Sequence, residues 1–229
     1  MANIPNFSTP PEPVYVDTTL TVHNERTLMM RVYSLLSIML GVTFVGYQEG
    51  LAHMAWVNSH PWAMIFAFFM TFILVPTTEY FISPLLSMFM ALLFSFVSGF
   101  FLSPSILQYT QSHAGMMAVN EALAGTACIF IGLSIYSLLS KRNFHFLHSF
   151  LITGLIMGLV GYILNDLWFH MSLLQSVIAG AMSLVFSGLI LMDTQRIKEN
   201  GANSAVMIVT GLYLDIINLF LSLLQILDN

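Results

Sequence analysis

Asp215 lies in the run Gly211-Leu-Tyr-Leu-Asp-Ile-Ile-Asn-Leu-Phe220, within a long stretch that holds no other charge. A carboxylate at the centre of an apolar helix adds about 2.5–3.5 kcal/mol to the cost of membrane insertion, so its presence wants a reason. At helical spacing Gly211, Asp215, Asn218 and Ser222 share one face, a polar stripe that should turn inward. Asp193, in Leu191-Met-Asp-Thr-Gln-Arg-Ile197, closes the preceding apolar stretch. Only a short turn separates the two stretches, so they read as antiparallel neighbours and the aspartates could approach each other. Two such carboxylates in low dielectric cannot both ionise easily and would share a proton. Their hard oxygens could equally hold a divalent cation such as Ca²⁺, with protons competing for the site. Plainer roles stand beside these: an ion pair between Asp193 and Arg196, and an interhelical hydrogen bond from Asp215.

The other ionisable groups offer less. Glu121 opens an apolar stretch, as a vestibule ligand or an interfacial side chain. Glu79 and Asp166 fall near span ends, where water reaches them. His145 and His148 sit one turn apart but lack a third metal ligand within reach. A serine intramembrane protease needs a deep histidine, which is missing. An aspartyl one needs Gly-x-Gly-Asp, and Asp215 instead follows Gly211-Leu-Tyr-Leu. The sequence therefore predicts no catalytic residue and no enzyme.

Long apolar helices must position these groups. Apolar residues make up 57% of the chain and charged residues 7%, and mean hydropathy is +0.83. Soluble domains carry roughly 25% charged residues. A net charge of −5 excludes the basic face that nucleic acid requires. Seven stretches approach the roughly 20 residues that cross a bilayer: 28–47, 62–80, 85–102, 117–139, 146–164, 173–192 and 205–227. Pro76 interrupts the second. Longer connections are expected around 49–60 and 103–115. The prediction is an all-α polytopic membrane protein with a disordered cytoplasmic tail over 1–25 and a transmembrane domain over 26–229. Seven spans place Arg26, Arg31, Lys141, Arg142, Arg196 and Lys198 on one side, which the positive-inside rule makes cytoplasmic. The C-terminus then lies outside. Trp56, Trp62 and Trp168 fall at the outer interface, and the lone Cys128 permits no internal disulfide.

The runs Met192-Asp-Thr-Gln-Arg-Ile197 and Leu212-Tyr-Leu-Asp-Ile-Ile-Asn-Leu-Phe220 closely resemble the signature of the Bax inhibitor-1 family. Phe96-Val-Ser-Gly-Phe-Phe-Leu-Ser-Pro104, Glu121-Ala-Leu-Ala-Gly-Thr-Ala127 and Lys141-Arg-Asn-Phe-His-Phe-Leu147 look like its third and fourth spans and the loop that follows. The resemblance covers about 26–227. It implies seven helices with the last at the centre; a short tail and no organelle-targeting segment predict a bacterial inner membrane. It also implies a pH-sensitive Ca²⁺ leak in which Asp193 and Asp215 bind calcium and sense protons, with Glu121 at an acidic position of the fourth span. Asn218 and Arg196 would support the pair. In leak-type members an arginine at or after the second span engages the pair. Here 62–84 contains no lysine or arginine, so either Arg31 or Arg196 substitutes or the gating differs. The alternative expectation is a non-transporting regulator of a membrane protease or of cell-death machinery.

Overall fold

The computed structural model describes residues 18–140, 142, 144, 146–199 and 205–228. All regular structure among them is helical: α1 (Thr18–Ala52), α2 (Met54–Ser59), α3 (Pro61–Phe81), α4 (Pro84–Thr110), α5 (His113–Leu139), α6 (Leu147–Leu164), α7 (Ser172–Glu199) and α8 (Ala205–Leu227). Within the described residues, seven helices are long and apolar enough to cross a membrane, all but the short α2. The protein is an all-α polytopic membrane protein. Helices are the natural solution here, because each satisfies its backbone polar groups internally where no water can.

α1 already begins at Thr18, inside the stretch read as a tail; residues 1–17 lie outside the described residues. The two long connections expected from the sequence are mostly helical. α1 runs on to Ala52 and α2 follows directly, while α4 continues through Pro104 to Thr110. A proline inside a helix leaves the carbonyl four residues earlier without its amide partner. In α4 that carbonyl belongs to Phe100, and Ser103 Oγ donates to it at 2.8 Å. The hydroxyl replaces the lost bond and the helix carries on. Pro76 likewise leaves α3 a single helix, and Ser87 Oγ ties α4 to it by donating to Val75 O at 3.1 Å.

Helix starts follow the expected capping chemistry. Ser83 and Ser112 accept from the amides of Leu86 and Gly115, at 3.3 and 2.9 Å, at the heads of α4 and α5. α6 widens into a π-turn over Asn165–Phe169, which ends where His170 adopts a left-handed conformation (φ 49°). Trp56, Trp62 and Trp168 are all exposed, on α2, the first turn of α3 and this π-turn. They mark one end of the bundle as an aromatic belt.

The core organises around α8. It packs against α1, α3, α4, α5 and α7, and Tyr162 on α6 reaches Gln225 through a 2.6 Å hydrogen bond. Of its apolar stretch 61% is buried, against 6% for α6. Tyr213 on α8 is fully buried, hydrogen-bonded to Thr43 on α1 at 2.8 Å and edge-on to Phe94 on α4. The last helix is the centre of the bundle. The inward stripe of Gly211, Asp215, Asn218 and Ser222 is only part of that burial, since Leu212, Leu219 and Leu224 are also enclosed.

Around α8 the tightest pairing is α1 with α4. A β-carbon on Gly99 would run into the carbonyl oxygen of Thr43, and one on Gly46 into that of Phe96. A β-carbon on Gly50 would strike Ser103. Small residues four apart on both helices, Gly46 and Gly50 on one, Gly99 and Ser103 on the other, let the two backbones touch.

Candidate functional site at the junction of α7 and α8

One turn of α7, from Met192 to Gln195, is enclosed on every side. Met192, Asp193, Thr194 and Gln195 are all buried, although consecutive helical residues point in different directions. Neighbouring elements supply the cover. Ser137 on α5 donates to Leu191 O at 2.9 Å. Between α5 and α6, the Phe144 amide donates to Gln195 Oε1 at 2.7 Å and Arg142 O accepts from Gln195 Nε2 at 3.3 Å. Gly211 of α8 seats against the Asp193 carboxylate, so closely that a β-carbon there would lie 2.5 Å from Oδ2.

Asp193 and Asp215 are 6% and 7% exposed. Asp193 faces Gly211, and Asp215 follows one turn further along α8, towards the middle of the bundle. Arg196 Nη1 donates to Asp193 Oδ1 at 2.9 Å, within one turn of the same helix. The two aspartates and Arg196 form one electrostatic cluster, with His148 at the head of α6 also within reach of Asp193. Of the two arginines that could serve the pair, Arg196 is engaged with it, whereas Arg31 is exposed on α1. His145 lies outside the described residues.

The other expected members are placed elsewhere. Glu121 is exposed on α5. It precedes Ser137, the residue of α5 beside α7, by more than four turns, or about 24 Å at helical rise. Asn218 spends its side-chain amide on its own helix, donating to Leu214 O at 2.9 Å. Asp166 is exposed as expected, but Glu79 is not simply solvated: its Oε2 is buried without a hydrogen-bond partner. Tyr33 Oη, Ser134 Oγ and Thr194 Oγ1 share that condition. These four atoms come from α1, α3, α5 and α7, each from the part of its span nearest the Arg196 end. Buried polar atoms without partners are costly in a bilayer and suit places that hold water or ions. Sequence reading singled out none of them for this; a serine or threonine in a span ordinarily bonds back to its own helix.

Chemically the cluster can hold a proton or a hard cation. Two carboxylates offer up to four oxygens, fewer than the roughly six to eight Ca²⁺ takes. One of the four is occupied by Arg196. Among the described residues no group of three or more histidine, cysteine, aspartate or glutamate side chains is arranged to bind a metal. A cation entering here would have to displace the guanidinium and draw its remaining ligands from hydroxyls, carbonyls or water.

Comparison with known proteins agrees with the signature residues. A family model described as inhibitor of apoptosis-promoting Bax1 matches residues 25–229. A membrane protein of Vibrio cholerae is 36% identical over 134 residues, covering 58% of this chain and 60% of that protein. A Helicobacter pylori protein is 33% identical over 183 residues, covering 80% and 78%. The Escherichia coli modulator of FtsH protease, YccA, is 31% identical over 129 residues, covering 56% and 58%. The matched stretch thus spans about three fifths of the Vibrio and Escherichia proteins. With its signature on the two helices that carry the aspartates and the match running through all seven spans, the chain belongs to the Bax inhibitor-1 family.

Proposed function

We propose that this protein is a non-enzymatic regulator of a membrane-bound protease, seated in a bacterial inner membrane with the Arg196 end of the bundle in the cytoplasm. The observation that carries the reading is the 129-residue match to a relative named as a modulator of FtsH protease. A second match to an Escherichia coli inner membrane protein supports the location. The bundle suits a partner within the bilayer, since almost all of the chain from α1 to α8 is span or short connection. The test reconstitutes the purified protein in liposomes with a purified FtsH-type protease and a membrane-embedded substrate. Expected are a stoichiometric complex on co-purification and a several-fold change in degradation rate. Equal rates with no complex would sink the reading.

A second reading rests on the Asp193–Asp215–Arg196 cluster: a proton-gated cation leak with Ca²⁺ as cargo. Deprotonation leaves two carboxylates whose repulsion, or whose capture of a cation in place of Arg196, opens the cytoplasmic end. Protonation lets one carboxyl hydrogen-bond the other and closes it. Ca²⁺ flux into liposomes should then rise between about pH 6 and 8, a range that buried carboxylates can reach. Asp193→Asn and Asp215→Asn should each flatten the profile; flux unchanged in both would exclude the mechanism.

A further inference from the structure

Thr194 and Ser134 break a rule that the other buried hydroxyls keep. Thr71, Thr78, Thr126 and Thr210, the remaining buried threonines among the described residues, each donate to the carbonyl four residues back, at 2.7–2.8 Å. Ser87, Ser95, Ser98, Ser103 and Ser137 likewise donate to carbonyls, and Ser222 bonds Tyr162. Thr194 and Ser134 are 0% and 6% exposed, yet their hydroxyls have no hydrogen-bond partner. Tyr33 and Glu79, which share that condition, belong to residues that are only partly buried. A fully enclosed hydroxyl that forgoes the bond its own helix offers needs a partner from elsewhere.

Helical geometry places both beside the aspartates. On α7, Thr194 falls between Asp193, which faces Gly211 of α8, and Leu191, whose carbonyl meets α5. Ser134 lies one turn before Ser137 on α5, and Asp215 one turn beyond Gly211 on α8. Both steps lead away from the Arg196 end, so Ser134 and Asp215 reach the same depth, where α5 packs on both α7 and α8.

The charges around this point do not cancel. With both carboxylates ionised, Arg196 offsets only one of them. His148, the other group within reach of Asp193, adds charge only when protonated. One negative charge is left over, and a buried charge without a counter-ion is costly. Water would serve the two hydroxyls but leave that charge in place. Expelling the guanidinium, the route open to a divalent ion, is unnecessary for a monovalent one, which balances the cluster with Arg196 in position.

We infer that the junction of α5, α7 and α8 binds one alkali-metal cation, held by the carboxylate oxygens that Arg196 leaves open and by the hydroxyls of Thr194 and Ser134. Hard oxygen donors suit such an ion. The inference rests on the cluster of the second reading above, but binding does not require conduction. Radioactive Na⁺ is the probe, titrated against detergent-purified protein in choline chloride at about pH 8, where protons compete least. One Na⁺ per chain is expected, with a rise in thermal midpoint that choline does not give. Thr194→Val and Ser134→Ala should each weaken Na⁺ binding about tenfold or more. In choline alone both should melt no lower than wild type, since the hydroxyl they lose has no partner there. Thr194→Ser keeps the hydroxyl and should bind as wild type. Undiminished Na⁺ binding in both Thr194→Val and Ser134→Ala would overturn the inference, as would a wild-type protein that binds no Na⁺. Saturable Ca²⁺ binding that Na⁺ fails to displace would also overturn it while leaving the leak reading standing. Na⁺ binding without Ca²⁺ flux in liposomes would do the reverse.

Discussion

Gly99→Leu is expected to leave no stable bundle. Overpacking a core usually costs about 1–3 kcal/mol, because side chains can shift out of the way. At Gly99 the obstacle is the Thr43 carbonyl, part of the α1 backbone, and a carbonyl held in a helix cannot rotate aside. The helices must separate, and every contact along the most extensive seam in the molecule loosens with them. Gly46→Leu should behave alike, since its β-carbon meets the Phe96 carbonyl. Gly132→Ala is the control: nothing lies within 4 Å of a β-carbon there, and an exposed helical alanine should gain up to about 1 kcal/mol over glycine. Monodispersity on size exclusion and thermal unfolding in detergent read the difference. A Gly99→Leu protein as stable as wild type would show that the α1–α4 seam is not held backbone to backbone.

The second large effect is expected at Arg196, where the order of the variants matters more than any one value. Arg196→Gln removes the counter-charge from a buried carboxylate. Breaking a fully buried pair costs about 3–5 kcal/mol. Arg196 keeps 37% of its side chain exposed, so water tempers the loss to about 2 kcal/mol. Asp193→Asn should cost less, because the arginine it abandons can turn to solvent. The double variant should recover much of the Arg196→Gln loss, giving a coupling of about 1–2 kcal/mol. Simple additivity in unfolding free energies would mean that the 2.9 Å contact contributes nothing net.

Much of this architecture was legible beforehand, for definite reasons. Spans are written in long apolar runs, and Asp215 on its polar stripe announced an inward-facing last helix. The Asp193–Arg196 pair needed only the three-residue spacing of one helical turn. The α1–α4 crossing left a local trace, Gly46 and Gly50 on one span and Gly99 and Ser103 on another. Neither half says which helix it will meet. The seating of Asp193 on Gly211 depends on the register between α7 and α8, which sequence spacing leaves open by about a turn; it falls one turn short of a direct Asp193–Asp215 alignment. Glu79 misled for a related reason. Its position near a span end suggests water, but neighbouring helices can cover a span end, and its Oε2 is covered.

The central position of α8 also has a consequence for biogenesis. Synthesis delivers the six surrounding spans before the helix they surround. Until α8 leaves the ribosome, the small-residue seam of α1 and α4 can close, but the inner faces of α5 and α7 lack their partner. The nascent chain therefore passes through a stage in which the faces of α5 and α7 that later meet α8 are open to lipid or the insertion machinery. Nonsense codons within α8 would strand the chain at that stage, with the central helix missing from its bundle.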